Sequence, residues 1–445
     1  MKHIKHAAAL AVCLATMAGM FASCAQKEAA PSVYFLNFKP EQNDAYKVIA
    51  EEYQKAKGIA VKVETAASGT YEQQLKSEIA KSGAPTIFQV NGPVGYAAWK
   101  DYCRDLKDTD LYAELIDKAA AIHDGNGVYG IPFAIEGYGI IYNRAIMDEY
   151  FKMSGAKVKS TEEIKSFDTL KAVAEDMTAK KDALGIEGVF ASTSLAPGEE
   201  WRWHTHLANV PLYYEFRDSG ADLADSAATG EITFRYADGF QRLFDLYLDH
   251  SISPKTMLGS KTVVDSMAEF ALGKCAMVQN GNWAYSQIAD VSGNTVKAED
   301  VGFLPLFIGM DGEQTQGLCI GTENYFCINK NAPQADQDAS IDFLTWLYTS
   351  DEGKKRVTGD LGFIAPFGTF GENDKPDDPL AREVLKWSAQ EGIENIPWNF
   401  TIFPSQEFKN EFGAALLQYA QGTREWSDVV TAVTESWKRE KANAL

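Results

Sequence analysis

The sequence predicts an α/β protein built as two lobes. Two observations carry that expectation. Short β-type apolar runs alternate with amphipathic helical stretches, first over residues 32–90 and again from about Tyr138, and such alternation implies parallel strands covered by helices. The 445-residue chain is also too long for a single hydrophobic core, even without its first 23 residues, so at least two cores are expected.

Taken in order, Ser32–Leu36 is a short apolar strand. Tyr46, Ile49, Ala50 and Tyr53 then fall at i, i+3, i+4 and i+7, one face of a helix that Gly58 ends. Val61 and Val63 alternate in a second strand, Ala60–Thr65. Thr70 and Gln73 form a capping-box pattern for a helix running to Lys81, and Thr86–Val90 is the third strand. Tyr112–His123 reads as helical. The second region offers strands at Gly139–Tyr142, Glu187–Ala191, Cys275–Gln279 and Val301–Leu306, with helices near Asp168–Lys180 and Ala237–His250. Leu318–Ile328 reads as one strand, Asp336–Ser350 as a helix, and helices near Glu407–Gln421 and Ser427–Lys441 close the chain.

The first 23 residues read as an export signal. Lys2 and Lys5 precede a small-residue and apolar run ending in Phe21-Ala22-Ser23. Cys24 follows at once, which resembles the lipobox of bacterial lipoproteins, although Phe21 stands where Leu is usual. That resemblance implies acylation of Cys24, with residues 25–31 as a spacer, and anchoring on the extracytoplasmic face of the membrane. The alternative is an ordinary secretory peptide with a chance cysteine nearby.

A formal net charge of −20 disfavours nucleic acid and anionic lipid surfaces as partners. No later apolar run reaches the roughly 18 residues of a membrane span. Cys103, Cys275, Cys319 and Cys327 form no metal-ligand spacing. Cys319 and Cys327 could pair across a hairpin, but buried free thiols are the expectation.

Ligands of open α/β sheets bind beyond the carboxyl ends of the strands. That rule selects Asn37-Phe38-Lys39, Ser68-Gly69-Thr70, Asn91-Gly92-Pro93 and Asn280-Gly281-Asn282-Trp283. Amides donate and accept as sugar hydroxyls do, and an indole suits the C–H face of a pyranose. Each segment alone is ordinary turn chemistry; together they point to a polar, uncharged ligand. Enzyme-like patterns fail on context. Gly125–Gly130 matches GxGxxG but follows no strand and opens no helix, so it is a turn. His204 and His206 lack a third metal ligand. Glu199-Glu200 beside Trp201 and Trp203 is the nearest approach to a glycosidase carboxylate. No metal, cofactor or catalytic set is expected.

The segment Gly130-Ile131-Pro132-Phe133-Ala134-Ile135-Glu136-Gly137-Tyr138-Gly139-Ile140-Ile141-Tyr142-Asn143 resembles the crossover of bacterial extracellular solute-binding proteins (family 1). It is similar to the maltose- and multiple-sugar-binding group that serves ATP-driven importers. Gly273–Met277 through Trp283, Gly321–Tyr325, Thr349–Gly353 and Asn395–Trp398 follow in family order. The resemblance implies a type II periplasmic-binding-protein-like fold, with lobe 1 from residues 32–137 and 326–370 and lobe 2 from 138–325 and 371–445. It implies a monomeric lipoprotein that captures a neutral di- to tetrasaccharide and delivers it to an ABC permease without turning it over. Lys39, Asn91, Glu136, Asn282, Trp283 and Trp398 carry over as ligand contacts, and Trp201 and Trp203 fall where lobe-2 aromatics are expected. Asn91-Gly92 departs from the Trp and Asp of maltose-binding proteins, which argues against maltose itself. An exported glycan-active enzyme and a ligand-loaded partner of a membrane sensor remain the alternatives.

Overall fold

The computed structural model describes residues 30–67, 69–221, 223 and 229–444; Cys24 and the leader, like Ser68, lie outside them. Twelve strands among the described residues form two six-stranded sheets. The first contains β1 (Ser32–Asn37), β2 (Ala60–Thr65), β3 (Ile87–Asn91), β4 (Ile122–Asp124), β5 (Gly127–Pro132) and β11 (Asn324–Ile328), in the order β2-β1-β3-β11-β5-β4. The second contains β6 (Glu136–Asn143), β7 (Gly188–Phe190), β8 (Cys275–Gly281), β9 (Val301–Leu304), β10 (Gln316–Gly321) and β12 (Glu394–Pro397). Its order is β12-β10-β6-β8-β7, with β9 also paired to β6.

Strand alternation feeds a core on each face of each sheet. Val33 and Phe35 of β1 enter one cluster with Tyr46, Ile49 and Tyr53 of the helix Asn43–Lys57, while Leu36 enters another with Leu75 and Phe88. In β6, Tyr138, Ile140 and Tyr142 join the large second-lobe core and Ile141 the opposite one. The helix Ala237–His250 spans the expected residues because Phe240, Leu243, Phe244 and Tyr247 hold 3.6-residue spacing against that core.

The segment expected as one strand, Leu318–Ile328, is two. β10 pairs with β6 in the second sheet, Gly321 opposite Glu136; two residues later β11 pairs with β3 in the first, Asn324 opposite Asn91. Beside it β5 ends at Pro132 and β6 begins at Glu136. Against expected boundaries at 137/138 and 325/326, the chain changes sheets at Glu136 and Asn324. A third crossing follows the helix Asp351–Thr358, where Phe363 packs in the first lobe, the Ile135 amide donates to the Ile364 carbonyl (2.8 Å), and Leu380 enters the second lobe.

Two local expectations are corrected. Thr70 precedes the helix Tyr71–Glu78, but its hydroxyl donates to the Ala67 carbonyl (2.9 Å) and makes no cap. Tyr112–His123 is not one helix: Asp110–Glu114 is a single turn, and β4 then pairs with β5. Gly125, at φ +56°, lies in the turn of that hairpin; the GxGxxG match follows β4, contrary to expectation, turns at Gly125-Asn126 and runs on into β5, so it opens no helix.

Candidate functional site

The carboxyl ends of β1 and β3 and the end of β8 meet the crossover strands at the seam between the lobes. The lobes touch there: a Cβ on Gly92, which has φ +64°, would lie 2.7 Å from the Thr401 Cβ. Across the seam Lys39 donates to Glu136 (2.8 Å), with Glu41 3.8 Å away. Burial alone would push the Lys39 ammonium down, but Glu136 and Glu41 hold it above its ordinary value. Burial raises the Glu41 carboxyl, and Lys39 opposes that shift. Lys39 also lies 5.5 Å from the centre of the Trp283 ring.

Trp283 belongs to an aromatic floor that the second lobe presents to the seam. His206 stacks on Tyr138 at 4.1 Å and 11°, Trp201 and Trp283 approach it at 5.1 and 5.4 Å, and Trp398 stands 6.3 Å from Trp283 at 88°. Trp201 and Trp283 are half-buried. Glycine shapes this floor. A Cβ on Gly281 would come within 2.1–2.6 Å of three ring carbons of Trp283, so the indole folds back over β8 only because position 281 has no side chain. Gly321 gives Trp398 the same clearance, its nearest approach being 2.7 Å.

The segment Arg202–Leu207 is π-helical, a conformation often found at functional sites. Widening the turn places Trp201 and His206, five residues apart, beside each other. Trp203 faces the other way: it is 1 % exposed and packs edge-on against Phe244 and Tyr247. It is a core residue and not the cleft aromatic expected of it. Sequence reasoning weighed His206 only as a metal ligand. Among the described residues no group of three metal-ligating side chains occurs, and burial drives the His206 pKa well below the usual imidazole value, so the ring is neutral at physiological pH. The signal for His206 was its spacing from Trp201, invisible until the π-turn is known.

Asn282 is also structural at one end. Its Oδ1 accepts from the Gly137 amide (2.9 Å) and its own amide donates to the Gly137 carbonyl (3.0 Å), clamping β8 to β6. Asn91 is half-buried at the end of β3. Glu199 and Glu200 accept from the amides of Val263 and Gly198 (3.0 and 2.7 Å), which ties one carboxylate to the start of the helix Val263–Ala271 and the other to its own loop. A cavity of about 260 Å³ remains in the seam, lined by Gln42, Glu136, Trp283, Tyr285 and Asp378 among others. Burial raises the Asp378 carboxyl to about 7. Cys103, Cys275, Cys319 and Cys327 are buried free thiols; Cys319 and Cys327 lie in different sheets.

Two sheets joined by three crossings, with polar strand ends and an aromatic floor meeting between them, define a two-lobed binding protein. The chain belongs to the bacterial extracellular solute-binding proteins, whose family model matches residues 48–382. No curated protein matches it in sequence. Among solved structures it is similar to a chitin oligosaccharide binding protein, at 17 % identity over 93 % of this chain and 99 % of that one, with a TM-score of 0.71. The GacH receptor of Streptomyces glaucescens, solved unliganded and with acarbose, gives 0.68 at 17 % identity over 94 % and 100 % of the two chains. Maltose-bound MalE3 of T. maritima gives 0.68 at 16 % identity over 92 % and 100 %. These likenesses establish the two-lobed fold of periplasmic sugar-binding proteins.

Proposed function

We propose that this protein captures a neutral oligosaccharide between its lobes and delivers it unchanged to an ABC permease. The observation that carries the reading is the floor of Trp201, His206, Trp283 and Trp398 at a seam bounded by Lys39, Asn91 and Glu136. Indole faces suit pyranose C–H faces, and the neutral His206 offers no charge to an anionic sugar. The printed ligands of structural neighbours, chitin oligosaccharide, acarbose and maltose, support the same class. The ion pair of Lys39 with Glu136 gives both residues a hinge role beside any ligand contact, and Asn282 acts by holding β8 against β6. Trp203 takes no part in binding. The binder works as a monomer that needs no cofactor and no metal, and it is tethered outside the cytoplasmic membrane by lipid on Cys24.

A thermal-shift panel of maltotriose, raffinose, xylotriose and chitotriose tests the ligand class. At least one should stabilise the protein, and mass analysis after overnight incubation should return it intact. No shift with any neutral oligosaccharide, or a protein-dependent cleavage product, refutes the reading. Cys24→Ser should move the protein from the membrane to the soluble fraction without changing the shift.

A further inference from the structure

Three buried polar atoms without partners among the described residues, two on Asn324 and one on Gln89, lie at the end of the first sheet that meets the crossover; the others are spread through both lobes. Asn324 is 1 % exposed, and neither its Oδ1 nor its Nδ2 has a hydrogen-bond partner among the described residues. Gln89 is fully buried; its Oε1 accepts from the Phe38 amide (2.6 Å), but its Nε2 has no partner among the described residues. The register of β3 on β11 sets Asn324 opposite Asn91 and Phe326 opposite Gln89, so Gln89, Asn91 and Asn324 share one face. Glu323 immediately precedes them in the two-residue step between the sheets. Its carbonyl accepts from the Gly92 amide (2.9 Å), while its half-buried carboxylate accepts no hydrogen bond among the described residues.

A buried amide with nothing to bond is costly, and replacing it by an apolar side chain of the same shape is neutral or stabilising. A fold gains nothing by holding two such amides together unless another molecule pairs them. The step lies at the floor of the seam, since Gly321 before it packs against Trp398.

We propose that Glu323 and Asn324, with the Nε2 of Gln89, form the first-lobe half of the ligand site and read two adjacent hydroxyls of a neutral sugar ring. This rests on the oligosaccharide reading above. A carboxylate accepts hydroxyl protons, and the amide beside it both accepts and donates. A diol satisfies all of these groups. A uronate would set its own negative charge against Glu323 and Glu136, whose facing cations, Lys39 and Lys409, already balance them.

The test uses the full chain, Asn324→Leu and Glu323→Gln, with maltotriose, raffinose, xylotriose and chitotriose as titrants, and trigalacturonate as the anionic probe. Asn324→Leu should weaken the best neutral trisaccharide at least tenfold while leaving the melting temperature of the ligand-free protein equal or higher. Asn324→Ala, which only removes atoms, should show the same loss of affinity should leucine pack badly. Glu323→Gln should narrow the preference for neutral sugars over trigalacturonate. A structural amide gives the opposite signature, a lower melting temperature with affinity unchanged, and that result overturns the assignment, as does an unaltered neutral-to-anionic preference in Glu323→Gln. Absence of saccharide binding in the unmutated protein overturns the oligosaccharide reading itself, and this assignment with it.

Discussion

Gly281→Ala separates the binding role of Trp283 from its contribution to folding. The new Cβ would stand 2.1–2.6 Å from three ring carbons of Trp283, against about 3.5–4.0 Å for a normal carbon contact, so the indole must swing off β8. The backbone does not object, because Gly281 is a β8 residue outside the left-handed region. Removing a glycine also restricts the unfolded chain, worth about 0.4–1 kcal/mol, which offsets an off-rotamer cost of about 0.5–1.5 kcal/mol. Net stability should therefore change by less than about 1 kcal/mol. Binding loses more: a stacking contact of about 0.5–1.5 kcal/mol and the ordered Lys39 cation above the ring, about 0.5–1 kcal/mol. At about 1.4 kcal/mol per decade, affinity falls roughly five- to sixtyfold. Calorimetric titration with the best neutral trisaccharide reads the affinity, and tryptophan emission reports the displaced indole. The decisive arm is the double variant with Trp283→Ala. If Gly281 acts only through the indole, the double variant binds no more weakly than Trp283→Ala alone. Additive losses, or unchanged affinity in Gly281→Ala, refute the reasoning.

Lys39→Met should destabilise the protein by about 3–5 kcal/mol in urea unfolding, because it strands the buried carboxylate of Glu136; adding Glu136→Gln should recover most of the loss. Trp203→Ala should cost about 3–5 kcal/mol of stability as a core truncation yet leave saccharide affinity within twofold, and a large loss of affinity in folded protein would contradict its placement. Asp378 tests the electrostatics of the cavity. Its carboxyl is raised by burial from 3.8 to about 7, so between those values the folded state holds the proton more tightly than the unfolded one. The stabilisation is full below about pH 4 and drains away as pH rises toward 7, at up to about 1.4 kcal/mol per unit. Asp378→Asn keeps the helix cap made to the Ala381 amide (2.8 Å) and should gain on the unmutated protein steadily from pH 4.5 to 7.5; a pH-independent difference would show that the carboxyl is not shifted.

The legible parts of this fold are those whose cause is local. The helix Ala237–His250 repeats its apolar residues at helical spacing, β1 is a short apolar run and β2 alternates, so local pattern suffices. The change of sheet within Leu318–Ile328 has no such signature, because both halves are apolar and both are extended. Only the polar pair Thr322-Glu323 marks it, and a polar pair also fits the middle of an exposed strand. Trp201 and Trp203 show the same limit at the site. They are two residues apart, and which one faces the seam depends on a π-turn that no propensity announces. Resemblance supplied Lys39, Glu136 and Asn282 as positions but not their partners. The Lys39–Glu136 contact spans 97 residues of sequence and the Asn282–Gly137 bond 145, so both follow from topology alone.

That topology also constrains what closes the protein. The Trp283 floor sits on strands of the second sheet, whereas Glu323 and Asn324 lead into the first, and the Lys39–Glu136 pair bridges the two where the crossings bend. A ligand shifts an equilibrium between open and closed lobes only by its difference in affinity for the two states. A sugar resting on Trp283 alone binds both states equally and closes nothing, however well it stacks. On the proposed reading, a saccharide that also spends its hydroxyls at the crossover step binds the closed state better and draws the lobes together. A monosaccharide too short to reach both should therefore bind weakly without changing small-angle scattering, while a trisaccharide that binds should contract the protein. Contraction by a ligand that survives loss of both Asn324 and Glu323 would place the first-lobe contact elsewhere.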